Sequence, residues 1–323
     1  MTQLKNASED SRASAQPAEA DKHGAVVFDV KRYAINDGPG IRVTIFLKGC
    51  PLACRWCHNP ESISPAVQKM YSKDKCIGCG ECVSICPIEA CELTPDGIVT
   101  DNSICLRCEQ CAEVCPALAT EMSGRYESIA DLLKVIESER PFFDQSGGGV
   151  TFSGGEPLLY PDFLIRILDA CGQLNIHRTI DTAGLAKTKT LLKVAKRTDL
   201  FLYDLKLMDS EKHKQWTGVG NRRILQNLEA LANTGADIQI RIPLINGVNS
   251  DEQNINATAE FIAALPGPRK SVRLLPYHNM AAGKAAKLGQ EYDPGIMAEP
   301  SEEELLRIID QFAAVGLTAS VGG

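Results

Sequence analysis

Between Cys76 and Pro116 the chain states one pattern twice: Cys76-x2-Cys79-x2-Cys82-x3-Cys86-Pro87, then Cys105-x2-Cys108-x2-Cys111-x3-Cys115-Pro116. This doubled spacing, with proline after each fourth cysteine, reads as two metal centres of four ligands each. The N-terminus has neither the basic nor the apolar region of a secretory leader, so a cytoplasmic chain is expected. There, thiols stay reduced, so thirteen cysteines do not read as a disulfide framework, and the clustered ones read as metal ligands. Two zinc ions would satisfy the same counts.

The repeated run resembles that of bacterial ferredoxins, in which the fourth cysteine of each run serves the other cluster. That resemblance implies crossed ligation: Cys76, Cys79, Cys82 and Cys115 on one 4Fe-4S centre, and Cys105, Cys108, Cys111 and Cys86 on a second. Cys91 and Cys171 fall outside both arrays and receive no chemical role; free cysteine often behaves as a small buried hydrophobe.

A third array, Cys50-x3-Cys54-x2-Cys57, supplies three thiolates from one loop. Clusters of this kind usually take four cysteines, so one with three keeps an iron open to a substrate or cofactor, as a catalytic zinc keeps an open position. A zinc site completed by His58 is the alternative. The spacing resembles that of the radical S-adenosylmethionine enzymes, which implies that the cofactor's methionine amine and carboxylate chelate the open iron. A net charge of −7 argues against a nucleic-acid partner, and no run approaches the roughly 18 apolar residues of a membrane helix.

Residues 1–23 hold almost no large apolar side chain and are expected to be a disordered tail. Apolar β-branched runs predict strands at 25–30 and 41–47, separated by the turn-forming Asn36-Asp37-Gly38-Pro39-Gly40. After Met122, helical periodicity marks 128–137, 160–174, 188–196, 222–233, 253–264 and 302–315, alternating with short strands at 149–152, 177–181, 200–205, 237–243 and 272–276. Such alternation indicates βαβ units around a parallel sheet; propensity alone does not separate an open barrel from a flat sheet.

Asp37-Gly38-Pro39-Gly40-Ile41-Arg42, followed by Phe46-x2-Gly49-Cys50 and Trp56-Cys57-His58-Asn59-Pro60-Glu61, resembles the activating enzymes of glycyl radical enzymes, and the likeness continues to near the C-terminus. It implies an α/β fold: a partial (β/α)6 TIM-like barrel from 24–66 and 122–323, with a bacterial-ferredoxin-like insert at 67–121. It implies three 4Fe-4S clusters and S-adenosylmethionine. Gly154, Gly155 and Glu156 then contact the methionine amine, Asp204 and Lys206 the methionine moiety, and Asp181 the same region, where a monovalent cation is an optional further occupant. Arg241 resembles a carboxylate-binding arginine, His278 a histidine near ribose or adenine, and Trp56, Cys57 and His58 the segment beside adenine. Asp37, Gly38, Gly40 and Arg42 are expected near the barrel mouth, where a partner's glycine loop passes. The remaining histidines, His23, His177 and His213, are read as solvent or packing residues.

The resemblance further implies an activase that uses reductive cleavage of S-adenosylmethionine to take a hydrogen atom from a glycine of its partner. A monomeric chain is expected, with flavodoxin or ferredoxin as electron donor. Choline trimethylamine-lyase, isethionate sulfite-lyase, glycerol dehydratase and pyruvate formate-lyase all have activators of this type, so the partner stays open. A radical enzyme acting on a small molecule or tRNA would share the three-cysteine loop but not the Asp37–Arg42 motif. An electron carrier would explain the eight ferredoxin cysteines but not that loop.

Overall fold

The computed structural model describes residues 23–268 and 270–322, so the expected tail, 1–23, lies outside the described residues apart from His23. Strands β1 (Ala25–Ala34) and β2 (Arg42–Leu47) open the fold as an antiparallel pair. The cysteine-rich stretch follows, with β3 (Gln68–Tyr71), α1 (Glu81–Ser84), β4 (Cys91–Thr94), β5 (Gly97–Thr100), α2 (Gln110–Glu113) and β6 (Thr120–Ser123). Next come β7 (Arg125–Glu127), α3 (Ile129–Ser138), α4 (Arg140–Ser146), β8 (Gly149–Gly154), α5 (Pro161–Gln173), β9 (His177–Thr182), α6 (Thr188–Ala195) and β10 (Leu200–Asp204). The chain ends with α7 (Ser210–Thr217), α8 (Arg222–Ala232), β11 (Ile238–Leu244), α9 (Glu252–Ala264), β12 (Ser271–Pro276), α10 (Ala281–Lys287), α11 (Glu302–Ala314) and β13 (Ala319–Val321).

One sheet runs in the order β13-β12-β11-β10-β9-β8-β2-β1-β7, parallel from β2 through β13. The expected strand at 25–30 is present but antiparallel, so it lies outside the six βα units built on β2 and β8 to β12. If the sheet were flat, β2 and β12, five places apart, would be separated by roughly 24 Å. Yet Lys284, after β12, bonds Asn59 and Glu61, after β2, at 2.6 Å each. The sheet is therefore curled, with β7 and β13 left as open edges.

Alternation along each strand sorts the two faces of this curl. Val43, Ile45, Val150, Phe152, Ile180, Phe201 and Ile240 are buried in the core shared with the helices, the double coverage that parallel strands require. The helices begin where short polar side chains can cap them: Ser128 accepts from Asp131 N, Asp251 from Asn254 N, and Ser301 and Glu304 form a capping box. Polar residues of the strands face inward, into the lumen. Among the described residues no helix is long and apolar enough to cross a membrane.

Arg42 bolts the closed end of the lumen. It is fully buried at the first position of β2, with Nε donating to Thr151 Oγ1 at 2.7 Å, Nη1 to Pro39 O at 2.9 Å, and Nη2 to Val150 O at 2.7 Å and Thr179 Oγ1 at 2.9 Å. These contacts tie β2, β8, β9 and the preceding turn together. The expectation that Arg42 lies at the mouth is corrected: the cluster loop leaves the other end of β2, and Arg42 is consumed by bonds far from it. Replacing Arg42 by Met keeps the apolar stem but orphans buried acceptors, so it should lower unfolding free energy by about 3 kcal/mol, measured as a fall in the denaturant midpoint.

Candidate active site

A weld between two main chains sets the site. Gly155 N donates to Leu47 O at 2.7 Å and Glu156 N to Gly49 O at 2.8 Å, so the segment after β8 is stitched to the segment after β2 that leads into Cys50. Both glycines are obligatory there. Gly154 has φ +104° and an added Cβ would lie 2.5 Å from Leu47 N, while one on Gly155 would lie 2.1 Å from Gly49 O. The cysteine loop is then held from the opposite side, Ala53 N donating to Thr217 O and Arg55 N to Trp216 O at the end of α7. The Arg55 guanidinium lies 5.4 Å from the Trp216 ring centroid, and Trp56, Trp216, Leu207, Ile245 and Tyr277 form an apolar cluster that packs Cys54.

Cys50, Cys54 and Cys57 line one cleft of about 210 Å³ at the C-terminal ends of the strands, where parallel α/β folds bind ligands. Burial pushes the Cys50 and Cys54 thiols up to about 12 and raises Cys57 as well. A cationic centre is thus needed to draw thiolates out of them. Facing them are Asp181, Asp204, Lys206 and Arg241, all on the cleft wall. Asp204 and Lys206 pair at 2.8 Å, and Arg241 Nη1 lies 3.4 Å from Asp181 and 4.0 Å from Asp37. Asp181 accepts from Ser153 Oγ at 2.7 Å, and burial pushes it up to about 6 despite Arg241, aided by Asp204 and Asp37. For Lys206, burial opposes the charge, but Asp204 and the Cys54 sulfur outweigh it and keep the ammonium protonated.

Asp204 Oδ1, Arg241 Nε and Arg241 Nη1 are buried without hydrogen-bond partners. Such orphaned polar atoms carry a penalty unless something satisfies them. An ammonium for Asp204 and a carboxylate for Arg241 would do so, and three thiols within the same cleft leave room for both on one ligand. The residues therefore fit an amino acid cofactor beside a three-cysteine cluster.

The other expected residues divide. Trp56, His58, Gly154 and Gly155 line the cleft. Glu156 does not: its carboxylate is buried, accepting from Leu158 N at 3.1 Å, Thr182 Oγ1 at 2.6 Å and Ala183 N at 3.0 Å. It staples β8 to the end of β9, and the expectation that it meets the methionine amine is corrected on that ground. His278 is half exposed and pairs with Glu299 at 3.1 Å; its neighbour Tyr277 lines the cleft in its place. Burial lowers the pKa of His58, helped by the nearby His278 and Lys284. In the glycine-rich turn, Gly38 and Gly40 have positive φ, and Asp37 alone faces the lumen, accepting from Thr44 Oγ1 at 2.8 Å beneath Arg241. Ser153, Thr182 and Asn249 escaped the sequence reading. Asn249 is wholly buried and donates to Lys206 O and Pro243 O, fastening two cleft loops; in sequence it is one more residue of a turn.

In the cysteine-rich stretch, Cys76, Cys79, Cys82 and Cys115 line one void, while Cys86, Cys105, Cys108 and Cys111 line another. The fourth cysteine of each run thus stands beside the first three of the other. Among the described residues no three His, Cys, Asp or Glu side chains gather closely enough to hold a single ion; the thiols surround voids instead. Cys91 lines the second void, and Cys171 is buried in the barrel core.

The sequence profile of the radical SAM superfamily matches residues 44–261. The trans-4-hydroxy-L-proline dehydratase activating enzyme of Clostridioides difficile is 44% identical over 299 residues, covering 92% of this chain and 99% of that protein. The choline trimethylamine-lyase activating enzyme of Oleidesulfovibrio alaskensis is 41% identical, covering 83% and 88% respectively. Among solved structures, a domain of pyruvate-formate lyase-activating enzyme from Bacteroides vulgatus is 45% identical, covers 55% of this chain and 100% of its own, and gives a TM-score of 0.48.

Glu156 generates a pH signature. Burial raises its carboxyl from 4.5 to about 7 against the three donors that favour ionisation. A raised carboxyl contributes stability below its unfolded pKa and loses it as pH rises through the folded value. Glu156→Gln cannot ionise, so between about pH 6 and pH 8 it should lose less stability than the parent, read as the change in denaturant midpoint; parallel profiles would sink the assignment.

Proposed function

We propose, from the premise that this chain belongs to the radical SAM superfamily and to its activating enzymes of glycyl radical enzymes, that the cleft holds a 4Fe-4S cluster on Cys50, Cys54 and Cys57 with S-adenosylmethionine beside it. The observation that carries this is the meeting of three thiols and the orphaned Asp204 Oδ1 and Arg241 N–H groups within one cleft. When bound, the pair supplies an electron and a sulfonium whose reductive cleavage gives methionine and the 5'-deoxyadenosyl radical that takes hydrogen from the partner's glycine.

The chain's own residues bind, orient and exclude water. Asp204 receives the ammonium, with Lys206 holding its other oxygen; Arg241 receives the carboxylate; and Gly154 and Gly155 let main chain approach the ligand. Asp181 borders the same position and is where a monovalent cation would sit. Trp56, His58 and Tyr277 wall the adenosyl side. Asp37, Asp181 and Asp204 alternate with Lys206 and Arg241 along the cleft, which suits a cofactor bearing an ammonium, a carboxylate and a sulfonium. Asp37 is the member of the glycine-rich turn that faces up the lumen toward an entering glycine loop, while Gly38, Gly40 and Arg42 shape its support.

Residues 67–121 form an insert with two further 4Fe-4S clusters that relays electrons from reduced flavodoxin or ferredoxin, in a cytoplasmic, monomeric chain. Relatives at 36–44% identity include activating enzymes named for a dehydratase, a lyase, a synthase and a decarboxylase. Hence the protein substrate proposed is the glycine loop common to such partners.

Anaerobically reconstituted protein should hold about twelve irons, Cys54→Ala about eight with no 5'-deoxyadenosine released. Cys79→Ser should keep cofactor binding while turnover with a protein donor falls; about four irons in the parent would refute the insert clusters. Asp204→Asn should weaken S-adenosylmethionine binding about tenfold, roughly 1.4 kcal/mol, at unchanged iron content, measured by equilibrium binding to the anaerobic holoprotein. Unchanged affinity would remove Asp204 from the site.

A further inference from the structure

The sequence repeat relates the two voids of the cysteine-rich stretch, and two of the positions at which it is broken stand together beside the second void. Cys91 stands five residues after Cys86, where Thr120 stands five residues after Cys115. Main chain around them is alike: Ala90 N donates to Cys86 Sγ and Ala119 N to Cys115 Sγ, each at 3.2 Å. Cys91 lines the second void and Thr120 the first. The other break lies on the strands that pair with theirs. Lys69, second residue of β3, lines the second void; Ile98, second residue of β5, lines the first.

The two surroundings differ in charge. Lys69 Nζ donates to Thr100 Oγ1 at 2.8 Å and to Cys91 Sγ at 3.2 Å, which fixes the ammonium against the second void. Burial opposes that charge, but the Cys91, Cys111 and Cys82 sulfurs outweigh it and hold the pKa above the usual lysine value. At the first void the places of Lys69 and Cys91 are taken by the neutral Ile98 and Thr120, beside the Tyr71 hydroxyl, which receives Ile98 N at 3.0 Å, and the charged residue on its lining is Glu81; the second void is lined by Arg107 and Glu109 as well as Lys69. A fixed positive charge stabilises the reduced, more negative form of a nearby cluster, so it raises the potential.

We propose that Lys69, anchored by Cys91 and Thr100, makes the cluster on Cys86, Cys105, Cys108 and Cys111 the easier of the insert pair to reduce, so that an electron entering the insert rests there. This gives Cys91 a role as well, that of anchor for the cation. It rests on the reading of the insert as a two-cluster relay. Cys82, of the first set, also feels Lys69, so the first cluster shifts in the same direction by less.

The full-length reconstituted protein is titrated potentiometrically with EPR detection, the two insert signals being assigned with Cys79→Ser and Cys108→Ser. Lys69→Met should keep the parent's iron content and lower the second cluster's potential. At the parent's midpoint the reduced-to-oxidised ratio should fall about tenfold, or 59 mV for one electron, with a smaller shift at the first cluster. Lys69→Arg retains the charge and should restore the parent's potential. Unshifted potentials in Lys69→Met at full iron content overturn the proposal. So does loss of iron from Lys69→Met and Lys69→Gln alike, which would make Lys69 a structural residue. Iron near four per chain in the parent would instead sink the two-cluster reading beneath it.

Discussion

The site depends on one close approach of main chain to main chain, where Gly154 and Gly155 lie against Leu47 to Gly49. Any side chain at these glycines would meet backbone rather than a movable side chain, so the cysteine loop could keep its place only by shifting the strand that carries it. Two hydrogen bonds and the absence of two Cβ atoms thereby fix Cys50 relative to the ends of β8 and β9. Glu156 extends the same weld sideways, since its buried carboxylate reaches Thr182 and Ala183 beyond β9. A family signature of glycines and a glutamate is in this chain as much a joint as a ligand surface.

Charge is arranged along the lumen in layers. Arg42 at the closed end is satisfied many times over and serves only the fold. Further up, Arg241 sits among three aspartates at 3.4 to 4.0 Å, too far for good hydrogen bonds, and two of its nitrogens stay orphaned. Two buried guanidiniums on one sheet thus have opposite states, one complete and one held in reserve. Buried unsatisfied groups are costly in a fold, and they are tolerated where binding removes the cost. That contrast, more than residue type, separates the arginine proposed to bind from the structural one.

The cysteine-rich stretch follows a different logic. Its helices are four residues each and its two sheets two strands each, too little apolar surface to make a core of ordinary kind. The three buried residues of its cluster include Cys82 and Cys91 beside Ile98. Such a unit would lean on the metal centres proposed for it, and Lys69 and Cys91 are among the places where its two halves part company.

Much of this was legible in the chain. Spacing alone gave the three cysteine arrays, because ligand geometry fixes how many residues separate neighbours on one centre. Periodicity gave the alternation of helix and strand, because burial of one helical face and of both strand faces leaves a regular imprint; Asp181, Asp204 and Arg241 came from the resemblance to the activating enzymes, and they stand together on the cleft wall. Residues whose work is done across the fold were not legible. Arg42 and Glu156 carry the marks of ligand-binding residues, and only the tertiary structure turns them inward to bond other strands. Asn249 looks like a turn residue until two distant loops close around it. Curvature was the remaining decision: strand order and length suit a flat sheet as well, and only in the tertiary structure do the segments after β2 and β12 meet, through Glu61 and Lys284, with thiols and orphaned charges in one cleft.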